Sequence, residues 1–233
     1  ILGIAGVDGN GQEELCEVLA GLRVPENGFI VIGGKDITGS CARDFINCGV
    51  SYIPADRKGV GLIPNMNVEE NMPLKNYWEP PIETKKYFMD WKYISKFALE
   101  RVKKYDVLAP SMQAPVRILS GGNLQKLMLS REISDETKVI IAMQPTWGLD
   151  VGAAEFVHQR LMEARDKGVA ILLISKDLQE LMSISDRLAV IYSGSIVGIM
   201  DDPRRTDAET LGLMMAGVRP ETIQPSSDPG AAL

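Results

Sequence analysis

The sequence has no apolar run near the ~18 residues that a membrane-spanning helix needs, and its start does not read as a secretory leader. Cysteine is scarce: Cys16, Cys41 and Cys48 are the three. None of them sits in C-x-x-C spacing, which argues against a disulfide framework or a zinc site. The expectation is reduced, mostly buried thiols of a cytosolic protein. Positive charge is not in excess, with 25 Lys and Arg against 31 Asp and Glu, a net charge of -6. That argues against a broad nucleic-acid face, and no nucleic-acid partner is expected. A small anionic ligand held by a local loop is still compatible with that charge. The one histidine, His158, lies in a helical pattern and reads as structural. There is no internal repeat and no low-complexity core segment.

What is present is an ordinary globular composition: 233 residues, 45% hydrophobic and 24% charged. That length suits one large domain or two small lobes. The chain opens on Ile1 within an apolar run that reads as a buried strand, so a piece of a longer polypeptide is expected. Gln12 to Leu22 has helical spacing, with apolar Leu15, Val18, Leu19 and Leu22. "ENGFIVIGGKDITG" (26–39) reads as a hairpin, and "VSYIPADR" (50–57) as a short strand ended by Pro54. From Val68 to about Pro115 the chain is richer in Lys, Tyr and Trp, and "YISKFALERVKKYDVL" is helical in period. "KVIIAM" (138–143) and "VAILLIS" (169–175) are continuous apolar runs, as in parallel strands buried on both faces. "LAVIYSGSIVGIM" (188–200) reads as strand, turn, strand. Alternating strands and helices imply an α/β fold with a helical lobe.

"GVDGNGQEE" (6–14) stands between the first strand and the first helix, where a phosphate-binding loop would lie. Gly6 and Gly11 have the spacing of G-x-x-x-x-G-K-[ST], but Gln12 replaces the lysine and Glu13 the hydroxyl. Such a loop alone is weak evidence. Further along stand "LSGGN" (119–123), a strand ending in "QPTWGLD" (144–150), and "LLISKDLQEL" (172–181).

In that order the parts resemble the nucleotide-binding domain of ABC transporters. More narrowly, they are similar to the second ATP-binding domain of the two-domain ATPase subunits that drive bacterial import of simple sugars and nucleosides. "GVDGNGQEEL", "PADRKGVGL", "VEEN", "LSGGNLQK", "QPTWGLDVGA", "LLISKDLQEL", "SDRLAVIYSG" and "LGLMMAG" carry the likeness, which runs from Ile1 to about Gly217. The ending leans toward the nucleoside and general simple-sugar branch. The resemblance implies a P-loop NTPase (RecA-like) core of mainly parallel strands, an antiparallel β portion and an inserted helical subdomain. It also implies that the N-terminal strands, with the aromatic residue that stacks on adenine, lie upstream of Ile1. The expected division is a core at 1–67, a helical subdomain at 68–118, the rest of the core at 119–217 and a disordered tail at 218–233.

The resemblance also assigns roles, and many positions here have lost the chemistry. The lysine that neutralises phosphates falls at Gln12, and the magnesium-binding hydroxyl at Glu13. The strand-end aspartate falls at Met143, no ligand for a hard, oxygen-seeking ion. The water-activating carboxylate falls at Gln144, whose amide cannot accept a proton. The lobe-joining glutamine falls at Ala55, and the switch histidine at Lys176. No magnesium is expected at this loop. Gly6, Gly9, Asn10 and Gly11 can still offer backbone N–H groups at a helix start. Asp8, Glu13 and Glu14 oppose a phosphate, and the two glutamates suit the positive end of the helix. Weak or partner-dependent nucleotide binding is expected there.

The signature Ser120-Gly121-Gly122-Asn123 is intact. In the family it caps the γ-phosphate of ATP held by an opposing domain, and the turn ending in Asp150 bridges the two sites. The implied partners are a first ATP-binding domain of the same polypeptide, membrane permease subunits and, indirectly, a substrate-binding protein. The implied place is the cytoplasmic side of the plasma membrane. Two rival readings remain: an active ATPase with unconventional ligands, and an ABC-type domain outside transport. A dinucleotide-binding oxidoreductase fails, because Gly9-Asn10-Gly11-Gln12-Glu13-Glu14 ends in glutamate rather than glycine.

Overall fold

Short apolar runs form the strands and the amphipathic runs between them form the helices in a computed structural model of the chain. The structure describes residues 1–84, 88–206 and 208–218. The tail expected to be disordered lies, from residue 219 on, outside them. In chain order, β1 (Leu2–Ala5) is followed by α1 (Gln12–Leu19), β2 (Val31–Ile32), β3 (Lys35–Asp36), α2 (Ala42–Asn47) and β4 (Val50–Ile53). A middle stretch holds α3 (Val68–Asn71), β5 (Glu83–Thr84), β6 (Phe88–Met89) and α4 (Trp91–Lys104). Then come α5 (Gly121–Glu132), β7 (Val139–Met143), α6 (Val151–Asp166) and β8 (Ala170–Ile174). The last elements are α7 (Leu178–Ile184), β9 (Arg187–Tyr192), β10 (Ser195–Met200) and α8 (Ala208–Met215).

The chain divides into two compact units, Ile1–Leu15 with Leu173–Leu233, and Cys16–Leu172. In the first unit β1 runs parallel to β9, with Leu2 opposite Arg187 and Ala5 opposite Val190. β10 returns antiparallel to β9, with a bulge between Ile196 and Gly198. β1 has no room for side chains toward α7: a β-carbon on Gly3 would stand 2.5 Å from Ser185 Oγ. Asp177 starts α7, its carboxylate accepting from the Gln179 and Glu180 N–H groups.

In the second unit β4 and β7 pair in parallel, Val50 opposite Val139 and Ile53 opposite Ala142. Parallel neighbours need a long crossover, and here it contains the helical stretch. Leu124, Leu127, Met128 and Leu129 of α5 are buried almost completely. Asn71, also buried, ties down the loop before it, accepting from Ile63 N–H and donating to the Ile63, Met66 and Asn67 carbonyls. Asn67 and Glu70 form a reciprocal cap on α3, each side chain accepting the other's N–H at 2.8 Å. Asn67→Ala is expected to cost about 1 kcal/mol of stability, read as a lower denaturant midpoint with an unchanged slope.

Two expectations change. α1 stops at Leu19 rather than Leu22, because Gly21 turns the chain at φ +72° and Leu22 is exposed. Of the three cysteines only Cys16 is buried. Cys41 is exposed because it stands at the N-cap of α2, where its thiol meets Asp44 Oδ2 at 3.2 Å.

Candidate functional site

The first unit carries the glycine loop between β1 and α1. Gly9 and Gly11 take positive φ values, +80° and +96°, open to glycine at little cost. Gly6 has no space for a side chain: a β-carbon there would meet Ile191 Cγ2 at 2.6 Å and Gln12 Nε2 at 2.7 Å. The Gln12 side chain turns back into the loop and is only 6% exposed. Its Nε2 donates to Val7 O at 2.8 Å, and its Oε1 accepts the Asn10 N–H at 3.0 Å. Asn10 adds its own closure, donating from Nδ2 to Val7 O and accepting Ser193 N–H on Oδ1. The Lys176 ammonium pairs with the Asp8 carboxylate. Glu13 and Glu14 lie exposed in the first turn of α1.

This geometry does not fit a bound phosphate as it stands. The neutral Gln12 amide already holds the Asn10 N–H that an anion would seek, and the lysine that would repay the displacement is absent.

The second unit holds Ala55, Met143 and Gln144, the other positions singled out in the sequence, and the Ser120-Gly121-Gly122-Asn123 stretch. Ala55 is half-buried just after β4, and Met143 is the half-buried last residue of β7. Gln144 follows, buried, at φ +46°, a left-handed conformation uncommon for glutamine. Ser120 is the N-cap of α5, its Oγ accepting from Asn123 N–H at 3.4 Å and Asn123 Nδ2 at 2.9 Å. Asn123 Oδ1 accepts Leu108 N–H, anchoring the helix start to the loop after α4. Asp150 caps α6 by accepting Ala153 N–H at 2.9 Å.

The starts of α5 and α6 lie together. A β-carbon on Gly122 would stand 3.1 Å from Ala153 Cβ, whereas one on Gly121 would meet only Leu149 Cδ2, at 3.9 Å. Ser120 and Gly121 are exposed, as are Trp147 and Val151 beside them. The structure thus joins Ser120-Gly121-Gly122-Asn123 with the Gly148-Leu149-Asp150 turn. His158 lies on α6, half-buried.

Sequence reasoning missed two polar groups of the second unit. Arg57 Nε donates to Gln125 Oε1 at 2.7 Å, and its Nη2 donates to Trp147 O. Burial lowers the pKa of this guanidinium. The second group is Glu132, whose Oε2 lies 3.2 Å from Lys75 Nζ and whose Oε1 lies 2.9 Å from Arg131 Nη2. It borders a cavity of about 390 Å³ that is also lined by Phe45, Val50, Leu62, Lys75 and Arg131.

The family model for ABC transporters matches residues 1–146. The guanosine import ATP-binding protein NupO of Bacillus subtilis is 44% identical over 217 residues. The nucleoside import ATP-binding protein NupA of Lactococcus lactis is 42% identical over the same length. Each match covers 93% of this chain and 42% of the relative, so the chain spans less than half the length of these proteins. Among solved structures, the dimeric ATP-binding cassette MJ0796 bound to ADP and Pi superposes with a TM-score of 0.72. It is 20% identical, with 86% of this chain and 84% of that one covered, a likeness of fold. That fold is the α/β cassette, with parallel and antiparallel strands and a helical subdomain. The family match runs through the glycine loop, the helical stretch and the signature turn that the geometry had already set apart, and the chain belongs to the ABC transporter family.

Proposed function

We propose that this chain is the second, hydrolytically silent ATP-binding domain of a two-domain ATPase subunit that drives import of nucleosides or simple sugars. Its own loop does not turn over ATP. Ser120, Gly121, Gly122 and Asn123 instead cap ATP held by a first domain of the same polypeptide, and Asp150 belongs to the turn that bridges the two sites. The observation that carries this reading is the closed loop: Gln12 is buried and bonded to Val7 and Asn10 where a lysine and a phosphate would meet.

Each remaining step lacks its chemical group. The Met143 thioether does not suit magnesium, and the Gln144 amide cannot take a proton from water. Lys176, at the switch position, is engaged by Asp8. The exposed start of α5 can still do chemistry: it presents glycine backbone, the Ser120 hydroxyl and the positive end of a 12-residue helix. That supplies hydrogen bonds and field to an anion without supplying a base. In this reading residues 1–67 and 119–217 form the core, and 68–118 the subdomain that meets the permease. Among the described residues no helix is long and apolar enough to cross a membrane. The permease supplies the membrane crossing, at whose cytoplasmic face this domain works, and a substrate-binding protein delivers the cargo. The nucleoside and guanosine names of the similar proteins support that cargo class.

The test measures magnesium-dependent phosphate release and ATP binding by the chain, alone and joined to its upstream neighbour. Neither the chain nor its Gln12→Lys variant is expected to turn over ATP above background. The missing base alone is worth about 10²–10⁴-fold, and a lysine does not replace it. Tight ATP binding is expected only with the neighbour present. Ordinary magnesium-dependent turnover by the isolated chain would sink the proposal.

A further inference from the structure

We infer that Arg57 is a positioning residue, whose guanidinium holds the Gly148-Leu149-Asp150 turn in register with the signature helix α5. The inference rests on the functional reading above for its effect on turnover, though not for its geometry.

The turn Arg57–Gly61 follows β4 and is set by Asp56, whose Oδ1 accepts Lys58 N–H at 3.0 Å and Gly59 N–H at 2.8 Å. From it, three contacts reach α5. Arg57 Nε donates to Gln125 Oε1 at 2.7 Å. Gly61 packs on Met128, where a β-carbon would come within 2.5 Å of Sδ. Gly61 O accepts from Arg131 Nη2 at 2.6 Å. Gln125, Met128 and Arg131 are spaced three apart, so the turn lies along one face of the helix.

Arg57 alone of these contacts extends beyond α5, through its Nη2 to Trp147 O. Its two donors belong to one rigid, planar group. Bonding both Gln125 and Trp147 therefore fixes the direction between them, which two flexible side chains would not do. Trp147 precedes Gly148, at φ +66°, where the chain swings toward Asp150 and α6. Leu149, two residues on from Trp147, is the side chain that a β-carbon on Gly121 would meet, at 3.9 Å. A shift of this turn moves Leu149 relative to the exposed signature glycine. The Gln125 amide depends on the same bond: its buried Nε2 has no hydrogen-bond partner among the described residues. Without Arg57, the amide loses the bond that holds its Oε1.

The experiment uses the full polypeptide assembled with its permease, and compares wild type with Arg57→Lys and Arg57→Ala. Lysine keeps the charge and loses the planar fork. Amide hydrogen exchange across 144–151 is expected to rise about tenfold or more in both variants. For Arg57→Lys the melting temperature is expected to stay near that of wild type. Its kcat for ATP falls about tenfold or more while KM moves less than about twofold, the mark of lost transition-state positioning. Wild-type exchange at 144–151 in both variants overturns the inference. So does wild-type kcat in Arg57→Lys where Gly121→Asp abolishes turnover. A silent Gly121→Asp refutes the signature reading instead, and the exchange measurement then decides the role of Arg57 by itself.

Discussion

Gly121→Asp in the full polypeptide is expected to abolish ATP turnover, by about 100-fold or more, while leaving this domain as stable as before. The two halves of that expectation come from different neighbours. Among the described residues a β-carbon at Gly121 meets only Leu149 Cδ2, at 3.9 Å, so there is space. A carboxylate in the first turn of α5 also suits the positive helix end, by about 0.3–1 kcal/mol. Toward the nucleotide that the proposed function places opposite it, the same carboxylate is repulsive. One unit charge about 4 Å from another costs roughly 1–4 kcal/mol at effective dielectrics of 80 to 20. A γ-phosphate carries more than one, and the backbone can no longer approach closely. Gly122→Ala is the contrasting variant: its β-carbon stands 3.1 Å from Ala153 Cβ, so Ala153 must give by a few tenths of an ångström. Overpacking costs about 1–3 kcal/mol and alanine regains about 1 kcal/mol of helix propensity over glycine, so a melting temperature at or below that of wild type is expected. Phosphate release and thermal unfolding, measured on the same preparations, separate the two. Full activity in Gly121→Asp would mean that the signature faces no nucleotide.

Glu132→Gln is expected to cost about 3–5 kcal/mol of stability, because it leaves buried cations without their counter-charge. Glu132 is 8% exposed at its side chain, Lys75 16% and Arg131 10%. Lys75 keeps hydrogen bonds to Ser51 Oγ and Glu132 O, but both are neutral acceptors. For a chain of this length the loss corresponds to a fall of roughly 6–20 °C in melting temperature. The effect is pH-dependent with a definite sign. Burial pushes the Glu132 carboxyl up, but Lys75 and Arg131 outweigh it and hold it below its ordinary value of 4.5. A carboxyl depressed in the folded state contributes stability that is complete above the unfolded value and lost as pH falls through the folded one. The gap between wild type and Glu132→Gln is therefore full above the ordinary carboxyl value of 4.5 and closes only as pH falls through the lower folded value. Denaturant midpoints across that range check both size and sign. A gap that widens toward acid would contradict the ion-pair account.

Much of this was legible beforehand, for a physical reason. Parallel strands buried on both faces need unbroken apolar runs, so β7 and β8 announced themselves in "KVIIAM" and "VAILLIS". The exchange of lysine for Gln12 was visible by spacing. Its consequence was not, because a glutamine can point outward or fold back, and only coordinates place its amide on Val7 O and Asn10 N–H. Arg57 was hidden by distance along the chain: its partners lie 68 and 90 residues away. The Lys75–Glu132 pair was hidden likewise, since a charge in a sequence carries no mark of burial. The antiparallel pairing of β5 with β6 escaped because two-residue strands are too short to show alternation.

The closed Gln12 loop also bears on stoichiometry. Two open loops in a head-to-tail pair would let two nucleotides be cleaved per closure. Under the function proposed above, one loop is occupied by its own side chain and a closure cleaves one. On that proposal the free energy of a single ATP would set the ceiling on the gradient against which each cargo molecule can be moved. A count of phosphates released per molecule imported would read the conformation of one glutamine.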